Sequence, residues 1–296
     1  MSLLFDMDSR LALGTVQFGL NYGVANKHGQ VSFDDAKSIL ELAKDNGIDT
    51  LDTAIVYGDS EQRLGEIGIN GWNVVSKLPA TPDDCGDIYS WVVSSVQQSL
   101  KRLGQKSIYG LLLHKPEQLY QPGGDRIYLA LQKLKKDGLI HKFGASIYSP
   151  DELDLLEHNF KLDIIQAPFN IFDRRLTKSG WLAKLHNQGV EIHVRSIFLQ
   201  GLLLMPSSER PNKFNKWHSL WNIWDTWLKD SDITPLQACT QYVLSFKEIQ
   251  KVVVGVDNIQ QLADIVHASK GELPFIPENI CCADNDLVNP SRWSAL

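Results

Sequence analysis

Long apolar runs, paired cysteines and clustered basic residues are all scarce in this chain, and each scarcity removes a class of protein. No stretch approaches the ~18 consecutive apolar residues of a membrane span, so no transmembrane helix and no membrane partner are expected. The opening Met-Ser-Leu-Leu-Phe-Asp-Met-Asp lacks both the basic start and the apolar run of a secretory leader. Only four cysteines occur, Cys85, Cys239, Cys281 and Cys282, with no Cys-x-x-Cys among them. That spacing argues against a disulfide framework and against a zinc site. The adjacent pair Cys281–Cys282 matches no metal motif and does not suit the geometry of a relaxed bridge. No usable N-glycosylation sequon is present, and the compartment expected is the cytoplasm. A formal net charge of −6, with nothing more basic than the Lys133, Lys135, Lys136 group, argues against nucleic acid as a partner. Nothing in these patterns bears on oligomeric state.

What the chain does contain is a regular alternation. At 296 residues and 43% hydrophobic content it can bury a large core without staples. Short β-rich runs are expected at Leu11–Thr15, Thr50–Thr53, Asn73–Leu78, Ile108–His114, Lys142–Ser146, Asp163–Ala167, Glu191–Ser196 and Lys251–Val256. Helical patterns lie between them at Phe33–Asn46, Ile88–Leu103, Arg126–Lys136, Pro150–His158, Gly180–Gln188, Pro235–Phe246 and Asn258–Ala268. Ser32 followed by Asp35 is a helix-start signal, and Gly47 and Gly189 stand where helices should stop. Pro150 falls at a first helical turn. Eight such units predict an α/β fold, a closed (β/α)8 TIM barrel in one domain over residues 1–296, with its core at about 10–268 and a tail at about 269–296.

An open doubly wound sheet would need Gly-x-Gly-x-x-Gly in its first strand-to-helix turn. That turn here reads Leu13-Gly14-Thr15-Val16-Gln17-Phe18-Gly19, which does not match. Gly65, Gly68 and Gly71 recur at a helix end and carry little information. Between strand seven and its helix an inserted segment holds Trp217, Trp221, Trp224 and Trp227 on one helical face. The favoured reading is that this stripe packs the insert onto the barrel; the sharper one is an aromatic wall for a sugar ring. Trp293, in the tail, is a candidate for shaping specificity.

In such a barrel the chemistry forms at the C-terminal ends of the strands. The polar residues ending successive strands are Asp52 (with Tyr57 shortly after), Lys77, His114, Ser146, Gln166 and Arg195-Ser196, with Gly255 closing the set. Each alone has an ordinary structural reading: a helix cap, a packing tyrosine, a solvated lysine, a core histidine. Together a carboxylate, a phenol, an ammonium and an imidazole suit the protonation of a carbonyl oxygen. A nearby cation lowers the phenol pKa, a carboxylate holds the cation, and neutral imidazole orients the carbonyl. None of these groups supplies a hydride, so redox chemistry would need a cofactor.

Gly47-Ile48-Asp49-Thr50-Leu51-Asp52-Thr53-Ala54-Ile55-Val56-Tyr57-Gly58 resembles the aldo-keto reductase signature. Val75-Ser76-Lys77-Leu78 and Leu112-Leu113-His114-Lys115-Pro116 resemble its lysine and histidine strands. Gly144-Ala145-Ser146, Ile165-Gln166-Ala167-Pro168-Phe169-Asn170 and the stretch from Arg195-Ser196 to Gln200-Gly201-Leu202 match later ones, so the resemblance spans about residues 10–268. It implies that Tyr57 is the general acid, tuned by Lys77 and Asp52, with His114 positioning the substrate oxygen. Ser146 and Gln166 would hold the nicotinamide carboxamide, Arg195 would stand at the nicotinamide ring, and Ser196 and Phe198 would meet the pyrophosphate. The implied cofactor set further includes Thr15, Gly201, Gly255, Val256, Asp257 and Gln261.

The chain departs from the family where many relatives carry a cation for the 2′-phosphate of NADPH. Here Asp257 stands within one residue of that position, so use of NADH is expected beside NADPH. The function implied is NAD(P)H-dependent reduction of an aldehyde, ketone or sugar-like carbonyl, a small-molecule substrate. The rivals are a cofactor-binding sensor or regulatory protein with little turnover, and a barrel lyase or isomerase.

Overall fold

The computed structural model describes residues 10–24, 26, 29–157 and 159–296. The first nine residues, read above for a leader, and His158, expected to end a helix, lie outside the described residues.

Eight parallel strands close into one ring in sequence order: β1 (Leu11–Gly14), β2 (Thr50–Asp52), β3 (Asn73–Leu78), β4 (Ile108–Leu113), β5 (Ile140–Ser146), β6 (Ile164–Pro168), β7 (Glu191–Arg195) and β8 (Lys251–Gly255). Closure runs through β1 and β8, with Leu13 opposite Val254 and Gly14 opposite Gly255. The strands are rich in Val, Ile and Leu because both of their faces are covered, one by the barrel interior and the other by helices. The α/β barrel expected from the alternation is therefore the fold. Several strands stop one residue earlier than expected, at Gly14, Asp52, Leu113, Arg195 and Gly255, while β5 begins earlier, at Ile140. The residue past each early end is where the backbone leaves the ladder and turns over the barrel mouth.

Local signals account for the helices between strands. Ser32 caps the helix Phe33–Asp45, accepting from Asp35 N at 3.1 Å. Thr234 and Gln237 form a reciprocal capping box on Pro235–Leu244. The helix Ser60–Ile67 adds to the expected set; it starts directly after the Tyr57 loop, and Asp59 at its cap makes no side-chain capping bond. The helix expected over Pro150–His158 is shorter, Asp151–Leu156.

After β7, short 3-10 turns lead into the inserted helix His218–Asp230. Trp217, Trp221, Trp224 and Trp227 are all buried. Trp217 Nε1 donates to Asp284 Oδ2 at 3.1 Å, Trp227 Nε1 donates to the Phe275 carbonyl at 2.9 Å, and the rings of Phe214 and Trp293 lie 4.9 Å apart. Insert and tail thus form one packed layer, and Trp221 and Trp224 also meet Phe172, past the end of β6, at 5.2 and 5.5 Å, in line with the packing onto the barrel favoured for the tryptophan stripe. The tail is pinned further by Cys282 N donating to Phe172 O at 2.8 Å and Lys178 Nζ donating to Cys281 Sγ at 3.1 Å. Among the described residues, no helix is long and apolar enough to cross a membrane.

Candidate active site

The loop after β2 carries Tyr57 and is clamped from beneath. Thr15 is fully buried; its N–H and hydroxyl both donate to the Asp52 carbonyl, at 2.9 and 3.1 Å. Ser60 Oγ lies 2.9 Å from both Thr15 O and Thr15 Oγ1. A second clamp is steric: a Cβ on Gly19 would stand 1.8 Å from the Tyr57 carbonyl, so only glycine lets the two loops touch. Gly58, at φ +55°, turns the chain away behind the tyrosine. Thr15, implied at the cofactor, has both of its donors engaged in holding this loop.

Under the tyrosine lies a buried ion pair. Lys77 Nζ donates to Asp52 Oδ1 at 2.5 Å and Oδ2 at 2.7 Å, and to the Thr53 carbonyl at 2.9 Å. Gln166 Nε2 donates to the same Asp52 Oδ2 at 2.8 Å, and Ser146 Oγ donates to Gln166 Oε1 at 3.4 Å. One connected network therefore joins the ends of β2, β3, β5 and β6. The Lys77 ammonium lies 5.1 Å from the Tyr57 ring centroid, and the His114 ring meets Tyr57 edge-on with centroids 6.0 Å apart. The four side chains named from sequence thus stand together.

Their protonation differs from expectation at one point. Burial, seconded by the Asp52 carboxylate, raises the Tyr57 phenol above its ordinary value, with Arg195 as the cation that opposes the rise. The lowering expected from a nearby cation is outweighed by dehydration of the phenol. Burial likewise pulls Lys77 down, against Asp52. It pulls the His114 imidazole down to about 4, helped by the cations Lys77 and Arg195. The site therefore holds a protonated phenol and a neutral imidazole at neutral pH.

Around the rim the structure adds residues that sequence reading does not reach. The Arg195 guanidinium lies 4.6 Å from the Tyr148 ring centroid and donates to Ile147 O at 3.0 Å and Ser196 Oγ at 3.3 Å. Tyr148 sits just past the end of β5, and an aromatic two residues beyond a strand-end serine is the available signal. Tyr22, in the loop after β1, accepts from Gln200 Nε2 at 3.0 Å; nothing in its local sequence marks it.

After β7 the backbone is strained. Ser196, Leu199 and Gln200 have φ of 60°, 46° and 53°, and Gly201 follows at 90°. Side-chain-bearing residues held there cost about 1–3 kcal/mol each and cluster at functional sites. Such turns make concave sites for anions. Phe198 is buried between them.

Val256, Asp257 and Gln261 form a separate group at the end of β8. Asp257 N donates to Gln261 Oε1 at 2.7 Å, and Asn26 Nδ2 donates to Asp257 Oδ1 at 3.1 Å. Beside them Gln17 Oε1 is buried without a hydrogen-bond partner among the described residues, and a Cβ on Gly255 would stand 2.6 Å from the Gln17 amide. A cavity of about 630 Å³ lies elsewhere, lined by Leu153, Phe160, Trp181 and Leu185 among others, and includes none of the residues above.

Residues 10–276 match the model of the Aldo/keto reductase family, and the chain belongs to that family. It is 26% identical over 217 residues to oxidoreductase sirO of Leptosphaeria maculans, covering 70% of this chain and 65% of that protein. It is 24% identical over 334 residues to L-glyceraldehyde 3-phosphate reductase of Escherichia coli O157:H7, covering 97% of this chain and 93% of the relative. An aldo-keto reductase from Bacillus halodurans, solved in its holo form, shares the fold at a TM-score of 0.71 and 22% identity, over 92% of this chain and 90% of its own.

Proposed function

We propose that the protein reduces an aldehyde, ketone or sugar-like carbonyl to the alcohol with NAD(P)H, Tyr57 acting as general acid. The observation that carries this reading is the placing of the Tyr57 ring between His114 and the buried Lys77–Asp52 pair, at 6.0 Å and 5.1 Å. A binder with no turnover has no need of that set.

The residues present fit a nicotinamide dinucleotide. The left-handed turn after β7 suits a pyrophosphate, and the unpartnered buried Gln17 Oε1 is an acceptor awaiting a donor. Ser146 and Gln166 would hold the carboxamide, with Ser196, Phe198, Gly201, Gly255, Val256 and Gln261 along the rest. When bound, NAD(P)H supplies the hydride that no side chain here can.

The protein's own part is protonic and electrostatic. His114, neutral because it is dehydrated, donates to the carbonyl oxygen and orients it. Tyr57 passes its phenolic proton to that oxygen as negative charge grows on it. Lys77 stabilises the phenolate left behind, and Asp52 fixes Lys77. Solvent returns a proton to Tyr57 once the alcohol leaves.

Asp257 favours the cofactor without a 2′-phosphate. Two like charges ~4 Å apart near a surface repel by up to ~4 kcal/mol, and a carboxylate can accept from ribose hydroxyls instead.

Tyr57→Phe tests the assignment. It should leave cofactor binding within about twofold while lowering turnover by about 10²-fold or more. Wild-type turnover in Tyr57→Phe, on a carbonyl the parent reduces well, would show that the roles are misassigned.

A further inference from the structure

Two cations stand near Tyr57, and only one keeps its charge uncompensated. Lys77 is bound by both oxygens of Asp52. Arg195 makes no ion pair with any carboxylate among the described residues; its donors go to the Ile147 carbonyl and the Ser196 hydroxyl, and its guanidinium carbon lies over the Tyr148 ring. These contacts hold the guanidinium at the end of β7 without cancelling it. The Ile147 carbonyl it holds is next in the chain to Ser146, whose Oγ donates to Gln166, which in turn donates to Asp52, so the guanidinium stands at the same mouth as the Lys77–Asp52 pair. Its charge accordingly opposes the rise of the Tyr57 phenol.

Chemistry then constrains what else the guanidinium must act on. In the reaction proposed above, the carbonyl oxygen takes the phenolic proton of Tyr57, and the carbonyl carbon takes a hydride with its electron pair. The nicotinamide cofactor that would supply that hydride would carry one more positive charge afterwards than before. Oxygen and carbon of one carbonyl are a bond length apart, so a cation near Tyr57 is near the ring where that charge develops. We propose that Arg195 makes the site discriminate between the two redox states of the cofactor, opposing the oxidised nicotinamide and so weakening its binding relative to the reduced form. Arg195 thereby promotes release of the spent cofactor rather than the hydride step itself.

The inference rests on the reading of the site as a nicotinamide-dependent reductase, and the experiment separates the two. NADH and NAD⁺ are each titrated into the purified full-length protein, followed by tryptophan and nicotinamide fluorescence, and the ratio of Kd for NAD⁺ to Kd for NADH is taken. Loss of this one charge, screened by an effective dielectric near 20, predicts that Arg195→Gln lowers this ratio by about tenfold. Arg195→Met should do the same, and serves if the first variant folds poorly; Arg195→Lys should retain most of the wild-type ratio. A ratio in both neutral variants within about twofold of wild type overturns the proposal. So does a lysine variant that behaves like the neutral ones, because stacking rather than charge would then be responsible. If wild type binds neither form, the reductase reading itself fails.

Discussion

The buried pair of Lys77 and Asp52 makes a prediction whose size can be worked out. Lys77 is 1% exposed, and its three hydrogen bonds go to two Asp52 oxygens and the Thr53 carbonyl. Lys77→Met keeps most of the shape and leaves a buried carboxylate with Gln166 Nε2 as its remaining donor. Removing one partner of such a pair costs about 3–5 kcal/mol, because the other charge stays dehydrated and uncompensated. For a chain of this length that is a fall in Tm of roughly 5–10 °C. Asp52→Asn should cost a similar amount by stranding the ammonium. The double variant should be far more stable than the sum of the singles, since replacing both charges together removes both dehydration costs. Urea unfolding of the four proteins, with m-values compared to check for two-state behaviour, gives the coupling energy directly. Expected is a coupling of about 2 kcal/mol or more; effects that add to within about 0.5 kcal/mol would refute the reasoning. All three variants should be poor reductases, so stability and turnover report separate properties here.

Three further outcomes are expected. With its imidazole near 4 in the folded protein and an unfolded value near 6.5, His114 binds its proton earlier in the unfolded chain. Stability from this residue is therefore intact above pH 6.5 and is lost as pH falls toward 4, by up to about 2 kcal/mol at pH 5; urea midpoints of wild type and His114→Gln should converge over that window, and parallel pH curves would count against it. Trp224, fully buried against Phe172 and Trp227, should cost about 3–5 kcal/mol as Trp224→Ala. Its indole N–H has no partner among the described residues, so Trp224→Phe should cost much less in thermal melts, and equal losses in the two variants would contradict this account. For Asp257, Kd values for NADH and NADPH should be comparable or favour NADH, with Asp257→Asn shifting preference toward NADPH; a preference of about a hundredfold for NADPH in the parent removes the idea.

How much of this is legible in the sequence depends on which physical property each residue expresses. Strand runs such as Asn73–Leu78 and the helix Ile88–Leu103 agree with their expected bounds, because period and capping are local. The closed ring follows from counting eight units. The convergence of Asp52, Tyr57, Lys77 and His114 follows from knowing that strand ends face one mouth. Tyr22 and Tyr148 escape such reasoning because they lie in loops, where no period fixes direction. The clamp through Gly19 and Thr15 is also hidden, since contact between the loops after β1 and β2 is a tertiary fact.

The Tyr57 phenol marks the limit most sharply. Residue identity places a cation beside it and predicts a lowered pKa, yet the cation is already paired and the ring is largely dehydrated. Charge type can be read from a sequence; whether a charge is compensated, and how dry its surroundings are, cannot. The same distinction separates the mouth's two cations. Lys77, neutralised, serves to hold geometry and receive a developing phenolate, whereas Arg195, held by neutral acceptors and an aromatic face, projects a net charge onto whatever lies beside Tyr57. A site with a protonated phenol, a neutral imidazole and one uncompensated cation is poised to give a proton and to resist a second positive charge; the first property serves reduction, and the second, in our proposal, serves release of the oxidised cofactor.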